Sequence, residues 1–298
     1  MVSMSSIIIA SFYKFVDLPE FKERQRPLLD FCLAQEVKGS ILLAAEGING
    51  TIAGSRSGID AVLAHLQQDS AFADMTHKKS TADFMPFGRM KVRLKQEIVN
   101  LGRPDITPQK QVGEYVPAAK WNDLISDPDV VLIDTRNEFE VELGTFRGAI
   151  NPQTAAFNQF PEFVSQNLDP SRHKKVAMFC TGGIRCEKAT AYMLEQGFEE
   201  VFHLKDGILK YLETVPPEES LWQGNCFVFD ERVTVDHYLQ PDPVELCPMC
   251  KTAVQPHHRT SPKYEFGVSC PVCADGLTPD QIERAREKQR QLQIKMER

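Results

Sequence analysis

One stretch restricts the fold more than any other: Val176-Ala177-Met178-Phe179-Cys180-Thr181-Gly182-Gly183-Ile184-Arg185-Cys186-Glu187-Lys188-Ala189. A short, wholly apolar run that passes directly into a glycine-containing loop and then a helix places Cys180 at the carboxyl end of a parallel strand. There the thiol faces unpaired backbone N–H groups and the positive end of a helix dipole. Those groups stabilise a thiolate and Arg185 adds a fixed positive charge, so the Cys180 pKa is expected below that of a free thiol. Gly182 and Gly183 are expected to let the backbone curl until several N–H groups converge on one anion, with Thr181 and Ile184 completing the loop. The competing reading of Cys180 is a small buried hydrophobe.

At 298 residues the whole chain is long enough for two or three domains, each with its own core. From Ile7 to Leu101 the pattern predicts strand (Ile7 to Tyr13), helix (Leu18 to Gln35), strand (Gly39 to Ala45), strand (Gly50 to Ala53), helix (Ser57 to Gln68) and strand (Met90 to Leu94). This βαββαβ order predicts a ferredoxin-like α+β sandwich over residues 1–101, with Glu46 to Gly50 turning the central hairpin. Residues 102–114, with Pro104, Pro108 and Gly113, read as a linker. Over residues 115–217 strands at Val130 to Asp134, Lys175 to Phe179 and Glu200 to Leu204 alternate with helices at Asn158 to Asn167, Glu187 to Gln196 and Gly207 to Glu213. Such alternation predicts an α/β unit with a mostly parallel sheet covered on both faces. A Cys-, Pro- and His-rich region follows over residues 218–276, and a charged helix over 277–298 starts with Thr278 as N-cap and Pro279 at its first position.

The chain carries eight cysteines, 42% apolar residues and a net charge of −7. No apolar run approaches the roughly 20 residues that cross a bilayer, and Met1 to Ser6 offers no basic n-region, so neither a membrane span nor a secretory signal is expected. The expected location is the cytoplasm, where thiols stay reduced and serve metals or catalysis. Cys247, Cys250, Cys270 and Cys273 form C-x2-C-x19-C-x2-C, the ligand spacing of a structural zinc ribbon with no open position; the alternative is four free thiols. Cys32 and Cys226 read as core residues. Cys186, in the first helical turn, either resolves an oxidised Cys180 as a disulfide or packs against the sheet. No G-x-G-x-x-G, haem motif or facial triad is present, so flavin, haem and nucleotide cofactors are not expected.

The segment Tyr115 to Leu212 resembles a rhodanese domain. Leu132-Ile133-Asp134-Thr135-Arg136 with Glu138 and Glu140, then Gly144 to Asn151, match that family's upstream motif, and Gly207 stands where the family keeps a glycine after its last strand. The six-residue loop Cys180 to Arg185 is the rhodanese length, one residue shorter than in related phosphatases, which disfavours phosphatase activity. The whole chain is similar to the rhodanese-related tRNA uridine hydroxylases, through Ala45-Glu46-Gly47-Ile48-Asn49-Gly50-Thr51, Cys180 to Lys188 and Gly224 to Asp230. That resemblance implies an acylphosphatase-like N-terminal domain and an oxidoreductase that 5-hydroxylates the wobble uridine in the anticodon region of tRNA. It implies molecular oxygen as co-substrate and Cys180 as the essential residue.

Where tRNA would bind is a separate question, because the net charge argues against a general affinity for nucleic acid. Lys78 to Lys110 nevertheless holds eight basic residues against three acidic ones. Lys78, Lys79, Arg89, Lys91, Arg93 and Lys95 are therefore expected to track a phosphate backbone, with Phe84 and Phe87 as stacking surfaces, or else to be a solvated strand. The C-terminal helix, with Arg284, Arg286, Lys288, Arg290, Lys295 and Arg298, is a second basic candidate. Two other functions stay open: a sulfurtransferase that takes sulfur from a small donor as a Cys180 persulfide, and a non-catalytic tRNA- or protein-binding module.

Overall fold

The computed structural model describes residues 6–242, 244–254 and 256–296; Met1 to Ser5 of the signal reading and Arg298 of the basic helix lie outside them. The N-terminal unit comprises β1 (Ile7–Phe15), α1 (Phe21–Ala34), β2 (Lys38–Ala44), β3 (Gly47–Gly54), α2 (Arg56–Gln67), β4 (His77–Ala82) and β5 (Met90–Leu94). The five strands run in the order β4-β1-β3-β2-β5. Alternation along β1 sends Ile8, Ala10 and Phe12 into a core under α1 and α2, with Leu28, Cys32, Ile59 and Val62. The opposite face carries Ser11, Tyr13, Asn49 and Thr51 and receives no helix of this unit.

Three expectations for this unit need correction. The strand that closes the sandwich beside β1 is β4, antiparallel to it, whereas Met90 to Leu94 lies on the far edge, parallel to β2. Only Ala82 of β4 is buried, so this lysine-bearing edge strand lacks the apolar pattern by which strands are read. The hairpin turns on Ala45 and Glu46 alone, since Ala44 pairs with Gly47 and β3 begins there. Helix α1 starts at Phe21, because Leu18 precedes Pro19 and is held out of helical geometry.

The second unit contains β6 (Glu114–Val116), α3 (Ala118–Ile125), β7 (Val130–Asp134), α4 (Glu138–Val141), β8 (Gly144–Phe146), α5 (Phe160–Asn167), β9 (Lys175–Phe179), α6 (Ile184–Glu195), β10 (Glu200–Leu204) and α7 (Gly207–Thr214). Its four-stranded sheet is parallel, in the order β6-β10-β9-β7. Strand β9 serves both faces: Val176 and Met178 pack with α5 and α6, while Ala177 and Phe179 pack with Trp121 of α3 and Tyr211 of α7. The segment read as a linker is anchored in this core by Ile106, and the Gly113 N–H donates to Thr190 Oγ1 at 3.0 Å.

Past Pro217 the chain stays on the same core. Strand β11 (Trp222–Gly224) pairs with β8, and β12 (Cys226–Phe227) pairs with β13 (Thr234–Val235), burying Trp222, Cys226 and Val235. A small separate cluster of Cys247, Val254 and Cys270 follows, then α8 (Pro256–Arg259) and the solvated α9 (Pro279–Met296). Among the described residues no helix is long and apolar enough to cross a membrane.

Buried ions join the two units. Lys188 of α6 donates to Glu46 at 2.6 Å and to Glu97, and its side chain is fully enclosed. The carboxylates are satisfied from their own side, by the N–H groups of Ile98 and of Gly102. Removing the cation leaves two carboxylates uncompensated in the interface. Lys188→Ala is expected to destabilise the protein by about 3–5 kcal/mol, seen as a lower denaturant midpoint; an unchanged midpoint would show that the interface does not depend on this ion.

Candidate active site

Helix α6 begins at Ile184, three residues earlier than the sequence suggests, with Gly183 as N-cap at φ 102°. This puts Arg185 and Cys186 in the first turn, where helical N–H groups are free. The Gly183 N–H donates to Cys180 Sγ at 3.1 Å, and the Cys186 N–H is a further backbone group that favours the thiolate. The expected role for two loop glycines reduces to one. A Cβ at Gly182 would meet nothing, whereas Gly183 has a positive φ and its Cβ would lie 2.9 Å from Tyr13 Oη. Gly207 supports the loop from below: at φ 71° its Cβ would stand 2.6 Å from the Cys180 carbonyl, which accepts from the Ile208 N–H.

Burial alone would push the Cys180 thiol up. The Cys186 thiol, the Arg185 charge and the two N–H groups outweigh it, and bring Cys180 down from 9.0 to about 5. Cys186 moves the other way, raised well above 9.0 by burial and by the charge on its neighbour. Its sulfur lies 3.6 Å from Thr135 Oγ1. Of the two buried thiols, Cys180 is therefore the one that ionises first.

Arg185 is held by Glu140, with Nη1 to Oε2 at 2.6 Å and Nη2 to Oε1 at 2.8 Å, a two-pronged geometry that a lysine cannot reproduce. Despite burial, the Arg185 and Arg136 charges keep the Glu140 carboxyl below its ordinary range. Arg136 in turn grips Asp134 through Nε at 2.9 Å and Nη2 at 2.6 Å. Phe229 lies over the Arg185 guanidinium, 5.7 Å from its centre.

The N-terminal unit completes the site. Tyr13 Oη donates to Glu187 at 2.8 Å, and Lys78 Nζ donates to the carbonyls of Gly182 and Asp206. Between the units lies a cavity of about 800 Å³, lined by Ser11, Tyr13, Asn49, Thr51 and Lys78 from the helix-free sheet face, by Asn137, Cys180 and Arg185, and by Phe87 and Phe229. That volume is within the range of small-molecule sites, roughly 300–1,000 Å³. Cys180 contributes to the wall while being 0% exposed, so solvent does not reach its sulfur in this conformation.

The basic residues expected to form one stripe are divided. Lys78 and Lys79 sit on β4, whereas Lys91 and Arg93 sit on β5 at the other edge, about 19 Å away at the usual strand spacing. Lys78 is committed to the loop and Lys79 to Asp60. Arg89, Arg93 and Lys95 are exposed and have no acidic partner among the described residues. Tyr13, Glu187 and Lys188 were not singled out by sequence as interface groups; their partners lie far away along the chain.

Cys247, Cys250, Cys270 and Cys273 converge, all four sulfurs lying within 4.8 Å of one another. The separations of 3.7 Å (Cys247 to Cys273), 3.5 Å (Cys250 to Cys270) and 3.9 Å (Cys270 to Cys273) match the edge of a tetrahedral four-thiolate shell, about 3.8 Å for metal–sulfur bonds of about 2.3 Å. The set can hold a metal ion.

Comparison with known proteins agrees with this architecture. Residues 7–98 match the UPF0176 acylphosphatase like domain and residues 118–214 the Rhodanese-like domain. The tRNA uridine(34) hydroxylase of Picosynechococcus sp. is 56% identical over 290 residues, covering 97% of each chain. The chain belongs to the tRNA uridine(34) hydroxylase family. A second member, from Teredinibacter turnerae, is 54% identical over 98% of this chain and 91% of its own. Within this family the Cys180 loop, the Arg185–Glu140 pair and the four-cysteine cluster therefore occupy a chain of matching length.

The rate at which iodoacetamide modifies Cys180, followed on the tryptic fragment that begins at Val176 (ending at Arg185 in the wild type and at Lys188 once Arg185 is replaced), is expected to rise with pH through about 5 and to be flat at neutrality. Arg185→Gln removes a charge that favours the thiolate, and should move the midpoint up by about one pH unit or more. A wild-type midpoint near that of a free thiol, about 8.5, would contradict the thiolate assignment.

Proposed function

We propose that this protein is a cytoplasmic enzyme that hydroxylates C5 of the wobble uridine in tRNA, with molecular oxygen as co-substrate and the Cys180 thiolate as its essential group. The observation that carries the reading is a stabilised thiolate in the wall of a nucleotide-sized cavity, in a chain whose relatives bear the name tRNA uridine(34) hydroxylase. An unstacked anticodon base can enter such a cavity, whereas a base within a stem cannot. Phe87 and Phe229 offer faces for it, and Asn49 and Asn137 offer amide groups to its edge. Arg89, Lys91, Arg93 and Lys95, along the β5 edge, are the side chains proposed to meet tRNA phosphates.

The six-residue loop with converging N–H groups also supports a second reading, in which Cys180 carries sulfane sulfur as a persulfide. Mass spectrometry of tRNA nucleosides separates the two. Cells lacking the gene and complemented with Cys180→Ser are expected to lose 5-hydroxyuridine derivatives. Loss of thiolated uridines with hydroxylation intact would replace the first reading by the second.

The four-cysteine cluster is proposed to hold one structural zinc ion, leaving no position for catalysis. Metal analysis of the purified protein is expected to find one zinc per chain, abolished by Cys247→Ser or Cys270→Ser. Protein without metal and with four freely alkylated thiols would exclude it.

A further inference from the structure

A hydroxylation by molecular oxygen leaves an electron balance to close. Dioxygen takes four electrons, the C5–H bond supplies two, and the other two need a donor. The site contains a second sulfur whose position answers that need. Cys186 is 0% exposed and shares with Cys180 one buried cluster on the α6 face of the parallel sheet, and the Thr135 hydroxyl links the two neighbourhoods by lying 3.6 Å from the Cys186 sulfur and donating at 2.9 Å to the Phe179 carbonyl next to Cys180. The Gly183 N–H fixes the sulfur of Cys180. Of the remaining cysteines, Cys226 packs on the opposite face of the sheet and Cys32 in the N-terminal core. The two sulfurs are therefore isolated as a pair.

We propose that Cys180 and Cys186 act as a dithiol that donates the two missing electrons, closing to a disulfide at each turnover. This rests on the hydroxylase reading above. The balance is complete: the C5–H bond, dioxygen, the Cys180 thiolate, the Cys186 thiol and one solvent proton become C5–OH, water and the Cys180–Cys186 disulfide. One oxygen atom enters the base and the other leaves as water. A small thiol reductant reopens the disulfide by exchange, giving back thiolate and thiol.

The test uses full-length protein, reduced, freed of reductant without air, then mixed with tRNA in aerated buffer. Trypsin cuts after Arg185, so the disulfide would join the fragment Val176 to Arg185 to Cys186 to Lys188. The expected result is at most one 5-hydroxyuridine per chain with these fragments recovered joined, and repeated turnover once dithiothreitol is added. Cys186→Ser retains a small hydrogen-bonding group in place of the thiol, so it separates electron donation from mere orientation. It is expected to keep the alkylation of Cys180 at neutrality, which reports an intact loop, and to lose product formation together with Cys186→Ala. Repeated turnover without reductant, fragments that stay separate after product has formed, or wild-type product from Cys186→Ser would overturn the proposal. Should wild-type protein make no 5-hydroxyuridine under any condition, the hydroxylase reading fails by itself. The pair is then judged with one equivalent of hydrogen peroxide: joined fragments support a dithiol, and Cys180 oxidised beside a free Cys186 thiol refutes it.

Discussion

A negatively charged sulfur with no access to water is the constraint around which this molecule is arranged. Moving an ion out of water costs several kcal/mol even after the protein relaxes, and Cys180 meets that cost with a charge and directed donors. The compensation extends well beyond Arg185. Asp134, Arg136, Glu140 and Arg185 form a buried row of alternating charge that ends at the thiolate. Each cation sits between anions, and the two-pronged grip of Glu140 fixes the plane of Arg185 before any substrate arrives. The motif Asp134-Thr135-Arg136 with Glu140 is therefore part of the electrostatic support of a loop more than forty residues away. Thr135 adds to it by contacting the Cys186 sulfur.

The same loop depends on the N-terminal unit. Tyr13 binds Glu187 in the first turn of α6, Lys78 binds the carbonyls of Gly182 and Asp206, and Lys188 one turn further is locked between Glu46 and Glu97. These contacts hold the start of α6 at three heights. They also explain why the part of the helix-free face that meets the cavity is polar: Ser11, Tyr13, Asn49 and Thr51 roof the cavity, while Ile9, Ala53 and Ala82 further along that face form a small apolar cluster with Met85 and Phe87. Isolated from that roof, the parallel-sheet unit would present its thiolate to open solvent, where the balance of burial and charge that sets its ionisation would be different.

What could be read from the sequence follows the range of each interaction. The Cys180 to Arg185 loop is local, and its strand, glycine, arginine and helix signals lie within ten residues of one another, so its geometry was legible. The four-cysteine spacing was legible for the same reason. Strand β4 was not, because an edge strand covered with lysines carries no apolar alternation. The partnership of Glu46 with Lys188 spans 142 positions and that of Tyr13 with Glu187 spans 174, and no local pattern encodes either. Lys78 illustrates the error that results. Counted by charge it belongs to a phosphate-binding stripe; in the fold it is consumed by two loop carbonyls and Asp206. The glycine reading erred more narrowly, since Gly182 has open space around it and Gly183 alone needs its conformation.

Enclosure and selectivity are connected in this arrangement. The cavity is bounded by groups from both units and by the Phe227 to Asp230 segment, with Phe229 61% exposed above Arg185. The exposed ring is held by two contacts, the guanidinium, worth about 0.5–1 kcal/mol at exposed sites, and the Phe227 ring, edge-on at 5.0 Å between centroids. A planar base can offer the ring a comparable stacking partner. The energy needed to shift Phe229 is therefore small beside that released by stacking. A base unstacked from its neighbours can replace water in the cavity and approach the thiolate, while one held in a helix must first lose its pairing. Under the proposed function, discrimination for the anticodon loop thus arises before chemistry, from the cost of delivering a base to a sulfur that solvent does not reach.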